Sequence, residues 1–446
     1  MCPVGVPTLS VPRNDQVNVR ETMMKMWLRS ALSAAMLMGA AGSAPVFADD
    51  ITLTMWGQGD CPPNACMGAA LVDAFQKANP GIKINLIQQP VDGYFTNLLA
   101  QSVIGRGPDI ASMWAGGYMD QFKTYMVDLH KYVADDILDS VNGVDFFSEG
   151  YNHKNAVYAA PNTAQWYIGY YNKKVFKDAG IASLPTTWDE LSADAKILKD
   201  KGYTPIVQGA VDGGASFAAW EDWSYLAAAL SPSDWSKMLS GELPYNNPTL
   251  VAQLTKWAQL FKDGYFNADA YNSPTALDDF KAGKAGMYLG GGSWQAGQLV
   301  TAMGEDVGII VPPYSDTPTR AAVSFAGGGY AVFNYSKNID AAGKFAAFVL
   351  SDEGQKVIAQ FDAPTRSGFP NSNPLLNDMA TLSGKPETIN YPMFDNFTQA
   401  PVTDALARNV PQALIGQMSP ADVLSAMDAA YASLPADQKK PISFGK

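Results

Sequence analysis

The stretch Tyr158 to Lys173, YAAPNTAQWYIGYYNK, decides how the rest of the chain is read. It begins as a strand, stops at Pro161, turns through Asn162 and Thr163, and resumes as an aromatic run. Aromatics and Ile in alternation suit a pleated, half-buried surface. Polar Asn162, Thr163 and Gln165 beside Trp166 and Tyr167 suit a crossing between two lobes whose side chains look into a cleft. Taken alone, the stretch fits an ordinary core strand with a polar bend as well.

The 446 residues exceed one ordinary core and predict two large domains or lobes. An apolar fraction of 47% with 17% charged residues is that of a folded chain. The formal charge of −12, with no basic cluster longer than a pair, argues against a nucleic-acid surface. From Met23 the chain reads as a secretory signal peptide. Lys25 and Arg29 form the positive region, Ala31 to Ala44 is apolar, and Val46-Phe47-Ala48 predicts cleavage after Ala48. That apolar run is short and Gly/Pro-interrupted for a membrane span. Residues 1–22 read as neither signal nor fold, so translation is expected to start at Met23, Met24 or Met26. Removing residues 1–48, net +2, takes the charge from −12 to −14. Cys61 and Cys66, in CPPNAC, then predict a disulfide closing a short loop in an oxidising compartment, the periplasm or outside.

Ile51 to Trp56 alternates as a strand and ends in Gly57-Gln58-Gly59-Asp60. Leu71, Val72, Phe75 and Ala78 keep helical spacing up to Asn79-Pro80-Gly81, and Ile82, Ile84 and Leu86 alternate again. Strand, helix, strand is a βαβ unit and predicts a parallel sheet. Tyr94 to Ile104 is a second helix, and Pro108 to Trp114 a third strand. Two strands thus end in a tryptophan followed by small or polar residues, where open α/β sheets place their ligands. Thr187 and Glu190 predict a capping box. Trp220 heads an aromatic helix that also carries Glu221 and Trp223. Phe280 to Trp294 reads as a helix end, a strand at Ala285–Leu289, a glycine run and another tryptophan; no Lys-Ser/Thr follows, so the run is not a phosphate loop. Val307 to Pro313 predicts a second crossing, Ser324 to Phe333 a glycine-rich strand, and Asp340 the cap of the next helix. With no internal repeat or low-complexity linker, interleaved lobes with several crossings are expected.

Taken in order, the motifs TMWGQGD, AFQKANPGIKI, GRGPDIASMWAGG, YAAPNTAQWYIGYYNKKVFKDAGI, LPTTWDEL, FKAGKAGMYLGGGSW, AGGGYAVFNYSKNIDAAGKFAAFVLSDEGQKVI and APTR span the mature chain. Together they resemble the extracellular (periplasmic) solute-binding proteins of ABC importers, family 1, the group that includes maltose-binding protein. The resemblance implies an α/β, two-lobe periplasmic-binding-protein fold with a hinge and an interlobe ligand cleft. It divides the chain into an upstream segment with signal peptide (1–48), a first lobe (49–160 and 313–351) and a second lobe (161–312 and 352–446). It implies a periplasmic monomer, without cofactor, that captures a mono- or oligosaccharide and delivers it to the permease without entering the membrane. By motif, Trp56, Gln58, Asp60, Trp114, Gln165, Tyr167, Trp220, Trp294, Gly328 and Arg366 are the expected sugar-binding residues. The CPPNAC loop departs from the maltose-binding pattern.

Those residue types fit the ligand. A pyranose has an apolar face for an aromatic plate, and hydroxyls for amide, carboxylate and guanidinium groups. The alternatives are the same fold holding a polyamine or glycerol phosphate, and a secreted carbohydrate-active enzyme. A phosphate favours clustered Arg/Lys, and a polyamine several acids around aromatics; the named loops have neither. Asp60 with Asp109 or Glu221 offers a carboxylate pair, yet no local motif sets up catalysis, and neither a G-x-S-x-G elbow nor an H-E-x-x-H site occurs.

Overall fold

The computed structural model describes residues 51–59, 66–209 and 215–439. The chain divides into two units, Met1–Ala48 and Asp49–Lys446, and every described residue lies in the second. The architecture there is two β-sheets with helices packed on both faces of each.

The first sheet is built as the alternation predicts. Strand β1 (Ile51–Gln58) lies between β2 (Ile82–Gln89) and β3 (Ile110–Trp114), all parallel. Helix α1 (Met67–Ala78) makes the first crossover and α2 (Tyr94–Val103) the second. Leu53, Met55, Ile84 and Ile110 bury one face against α1 and the Ile339–Leu350 helix. Ala111 and Met113 bury the other face, against Tyr94 and Leu98 of α2. Asp109 ties the sheet's lower edge, accepting from the Thr54 N–H at 2.7 Å.

Tyr158–Lys173 does connect two sheets. Strand β4 (Ala159–Tyr167) pairs with the first sheet, and β5 (Gly169–Asn172) belongs to the second. The second sheet runs β6 (Thr204–Val207), β7 (Ala285–Tyr288), β5, β8 (Val307–Ile310). After β8 the chain returns as β9 (Ala321–Val332), which pairs with β3, β4 and the short β10 (Ile389–Tyr391). The expected turn at Pro161 is instead a pair of register shifts, at Pro161/Thr163 and Thr163/Gln165, within one continuous strand. Proline has no N–H for the ladder and is tolerated at a bulged edge; β4 pairs with β9 alone. The expected cap at Asp340 is also corrected. Asn338 is the N-cap, and Asp340, in the first turn, accepts from Lys131 and Tyr132 at 2.8 Å each.

Among the described residues no helix is long and apolar enough to cross a membrane.

Candidate functional site: a cavity at the carboxyl ends of the first sheet

Because β1, β2 and β3 run parallel, their carboxyl ends finish at one edge. Gly57 and Gln58, Gln88, and Ser112 from these three strands line a cavity of about 470 Å³. Asn162 of β4 and Tyr330 of β9 also line it, as do Ser293 and Trp294 beyond β7 and Asp362 beyond the Asp352–Ile358 helix. Both sheets therefore contribute to one wall.

Gly57 is required by close approach. A Cβ there would stand 2.5 Å from Gln88 Oε1, so the missing side chain lets Gln88 fold across β1. Buried amides normally find partners. Here the Gln58 Nε2 donor and the Gln88 Oε1 acceptor are buried with no hydrogen-bond partner among the described residues. Each such group costs about 1–3 kcal/mol. Among the described lining residues there is no Lys or Arg, and Asp362 is the one carboxylate. Its Oδ1 accepts from the Ala363 N–H at 2.8 Å. Burial pushes the carboxyl up to about 7, and that backbone bond pulls it partly back.

Trp294 joins the cavity to an aromatic and acidic cluster. Its ring meets Tyr167 edge-on at 5.8 Å. The Tyr167 hydroxyl donates to Asp395 Oδ1 at 2.7 Å. Burial raises the Asp395 carboxyl to about 6, opposed by the Tyr167 bond. Burial and then the charges of Asp395 and Asp404 push the Tyr118 hydroxyl well up. Tyr118 in turn packs edge-on against Trp114 at 4.9 Å, with Phe95 on Trp114 at the same distance. Trp56 and Trp114 are partly buried on the same hydrophobic cluster as Trp294.

The remaining expected residues lie as follows. Gly328 opposes Trp114 across the ladder, and Asn162 Oδ1 is 2.9 Å from where its Cβ would stand. Gln165 and Arg366 line a second cavity of about 570 Å³, beside the β4/β9 ribbon. Arg366 is held there by Asp352 at 2.8 Å, the Leu350 carbonyl at 2.9 Å and Ser140 at 3.0 Å. Trp220 is buried, its indole N–H donating to the Thr403 carbonyl at 3.4 Å. Cys66 lines the first cavity and is disulfide-bonded; Asp60 and Cys61 lie outside the described residues. Sequence reasoning did not single out Gln88, Ser112, Asp362, Tyr118 or Asp395. The Gln88-Gln89-Pro90 end of β2 carried a signal, polar amides where an apolar strand stops. Asp362 carried none.

The family profile described as bacterial extracellular solute-binding protein matches residues 69–356, more than half of the chain. The diacetylchitobiose binding protein DasA of Streptomyces coelicolor is 24% identical over 326 residues, covering 69% of this chain and 71% of its own. Among solved structures, a chitin oligosaccharide binding protein superposes with a TM-score of 0.75 at 22% identity, over 86% of this chain and 98% of the other. Maltose-bound MalE3 of T. maritima superposes at 0.68 and 21% identity, over 85% and 98%. The fold is thus shared by two-lobe binding proteins that set two sheets around a cleft. With parallel strand ends and Trp294 of the turn after β7 lining one cavity, and a profile match of this extent, the chain belongs to the bacterial extracellular solute-binding protein family.

Proposed function

We propose that this protein is the sugar-capturing component of an ABC importer, working in the periplasm after cleavage at Ala48. The observation that carries the reading is the pair of buried atoms Gln58 Nε2 and Gln88 Oε1, without a hydrogen-bond partner among the described residues, in a cavity that Trp294 also lines. An amide donor, an amide acceptor and an aromatic plate match the hydroxyls and apolar face of a pyranose. The lining favours a neutral ligand. A phosphate would lack a cation among the described walls, and a polyamine would find one carboxylate. The names of relatives that bind diacetylchitobiose, chitin oligosaccharide and maltose support the same class.

In this reading Gln58, Gln88, Ser112 and Asn162 hold hydroxyls, and Trp294 stacks the ring. Trp114 and Tyr167 extend the surface toward Asp395. Ligand touching walls from both sheets stabilises the closed lobes relative to the open ones, and the permease reads closure. We place the first lobe at 49–160 and from 313, with the second lobe between. The last changeover falls in the loop after Ile358 rather than at 351, because Ile358 packs with Leu53 and Phe345 of the first sheet's core. The protein binds its sugar without turning it over.

The test is thermal shift against a sugar panel, with a polyamine and glycerol phosphate included. Ligand at a hundred times its Kd stabilises the folded form by about 2.7 kcal/mol. A sugar is expected to raise the midpoint and to be recovered unchanged. A shift with the polyamine or glycerol phosphate alone would overturn the assignment.

A further inference from the structure

Asp362 stands where no motif places a ligand group, yet its surroundings fix it as one. The residue is half-buried in the cavity wall opposite the strand ends. Its backbone is tied at three points. The N–H donates to the Ile358 carbonyl at 2.8 Å, its carbonyl accepts from Asn371 Nδ2 at 2.6 Å, and the next N–H holds its Oδ1. No Lys or Arg among the described lining residues neutralises it, and the walls around it offer amides and a tryptophan.

We propose that Asp362 is the specificity-determining carboxyl of the cavity, accepting a hydroxyl of a neutral sugar in its ionised form and so making capture pH-dependent. The proposal rests on the sugar reading of this site. A carboxylate accepting O–H bonds is roughly twice as strong a partner as a neutral group. Ligand that bonds the ionised form binds tighter wherever that form prevails. Burial pushes the free carboxyl up to about 7. The other titratable groups around it are Tyr170 and Tyr330, both pushed well above their ordinary value by burial, and Cys66, which is in a disulfide. Asp194, on the Trp188–Asp200 helix and not among the cavity's lining residues, is raised to about 6 by burial and then by Glu190, and serves as the control.

The experiment uses the mature chain and the sugar giving the largest thermal shift, with Kd measured by calorimetry from pH 5.5 to 8.5. Affinity is expected to weaken about tenfold per unit as the pH falls below about 7, and to level above it. Asp362→Asn is expected to bind at least tenfold more weakly at pH 8 and to lose the slope; Asp194→Asn is expected to keep it. An Asp362→Asn protein with wild-type affinity or an undiminished slope overturns the proposal while leaving the sugar reading intact. A wild type that responds to no sugar overturns both. Should Asp362→Asn fail to fold, wild-type calorimetry at pH 6.5 in buffers of different ionisation enthalpy decides: release of protons on binding supports Asp362, and no release contradicts it.

Discussion

Two buried polar groups of this molecule are built in opposite ways. Asp222, fully buried, accepts from Gln208, from the Tyr271 hydroxyl at 2.8 Å and from the Tyr314 hydroxyl at 3.0 Å. Gln58 and Gln88, at the ends of β1 and β2, keep buried amide atoms with no partner among the described residues. Folding alone rewards the first arrangement and penalises the second. Unlike the unpartnered Trp223, Trp235 and Trp257 indoles of the core, these two amide atoms line a cavity that a ligand can enter. Asp222 therefore holds the protein together, and on the proposed reading the two glutamines are kept for a ligand.

Breaking Asp222 should have the largest effect. Asp222→Ala strands three donors, and loss of about 3–5 kcal/mol is expected in urea unfolding. A loss below about 1 kcal/mol would erase the contrast. Next comes Trp294→Ala, expected to abolish the sugar-dependent thermal shift while the free protein stays folded. An undiminished shift would remove Trp294 from the site. Gln58→Leu combined with Gln88→Leu should leave the free protein at least as stable as wild type, because two unpaired polar atoms are removed together. Its sugar affinity should fall ten- to a hundredfold.

Of the same order as the Asp222 loss is a pH effect on the free protein. Asp222 and Asp395 both sit near 6, raised first by burial. A carboxyl raised above its unfolded value keeps its proton after the unfolded chain has lost it. Each therefore contributes stability that declines as pH rises from about 4 to about 6, at about 1.4 kcal/mol per unit, and then levels. Thermal midpoints at pH 4.5 and 6.5 should drop in that order, and Asp395→Asn should reduce the drop. The smallest concerns the rim. Thiol titration of the unfolded, unreduced mature chain is expected to find no free thiol, and two free thiols would refute the pairing of Cys66 with Cys61.

Much of this was legible in the chain. The β1–α1–β2–α2–β3 run declared itself through period-2 alternation, helical spacing and Asn-Pro-Gly stops, all local signals. The passage of Tyr158–Lys173 from one sheet to the other was legible too, because its polar residues disrupt an otherwise apolar strand. β9 begins at Ala321, three residues before the reading from Ser324, since Ala-Ala-Val has no alternation to mark a start. Gln58 and Trp294 were singled out from their strand-end loops, and both line the first cavity. Gln88, Asp395 and Asp362 could not be singled out, because burial and missing partners come from segments far apart in sequence. Trp220 and Trp223 look alike in the chain, and packing of the Ala400–Leu414 helix buries both.

The most direct test is calorimetry of the best-responding sugar with wild type and with the Gln58→Leu, Gln88→Leu protein side by side. We expect unchanged folding and at least tenfold weaker binding in the double variant. Equal affinity in the two proteins would contradict the claim that these amides await a carbohydrate.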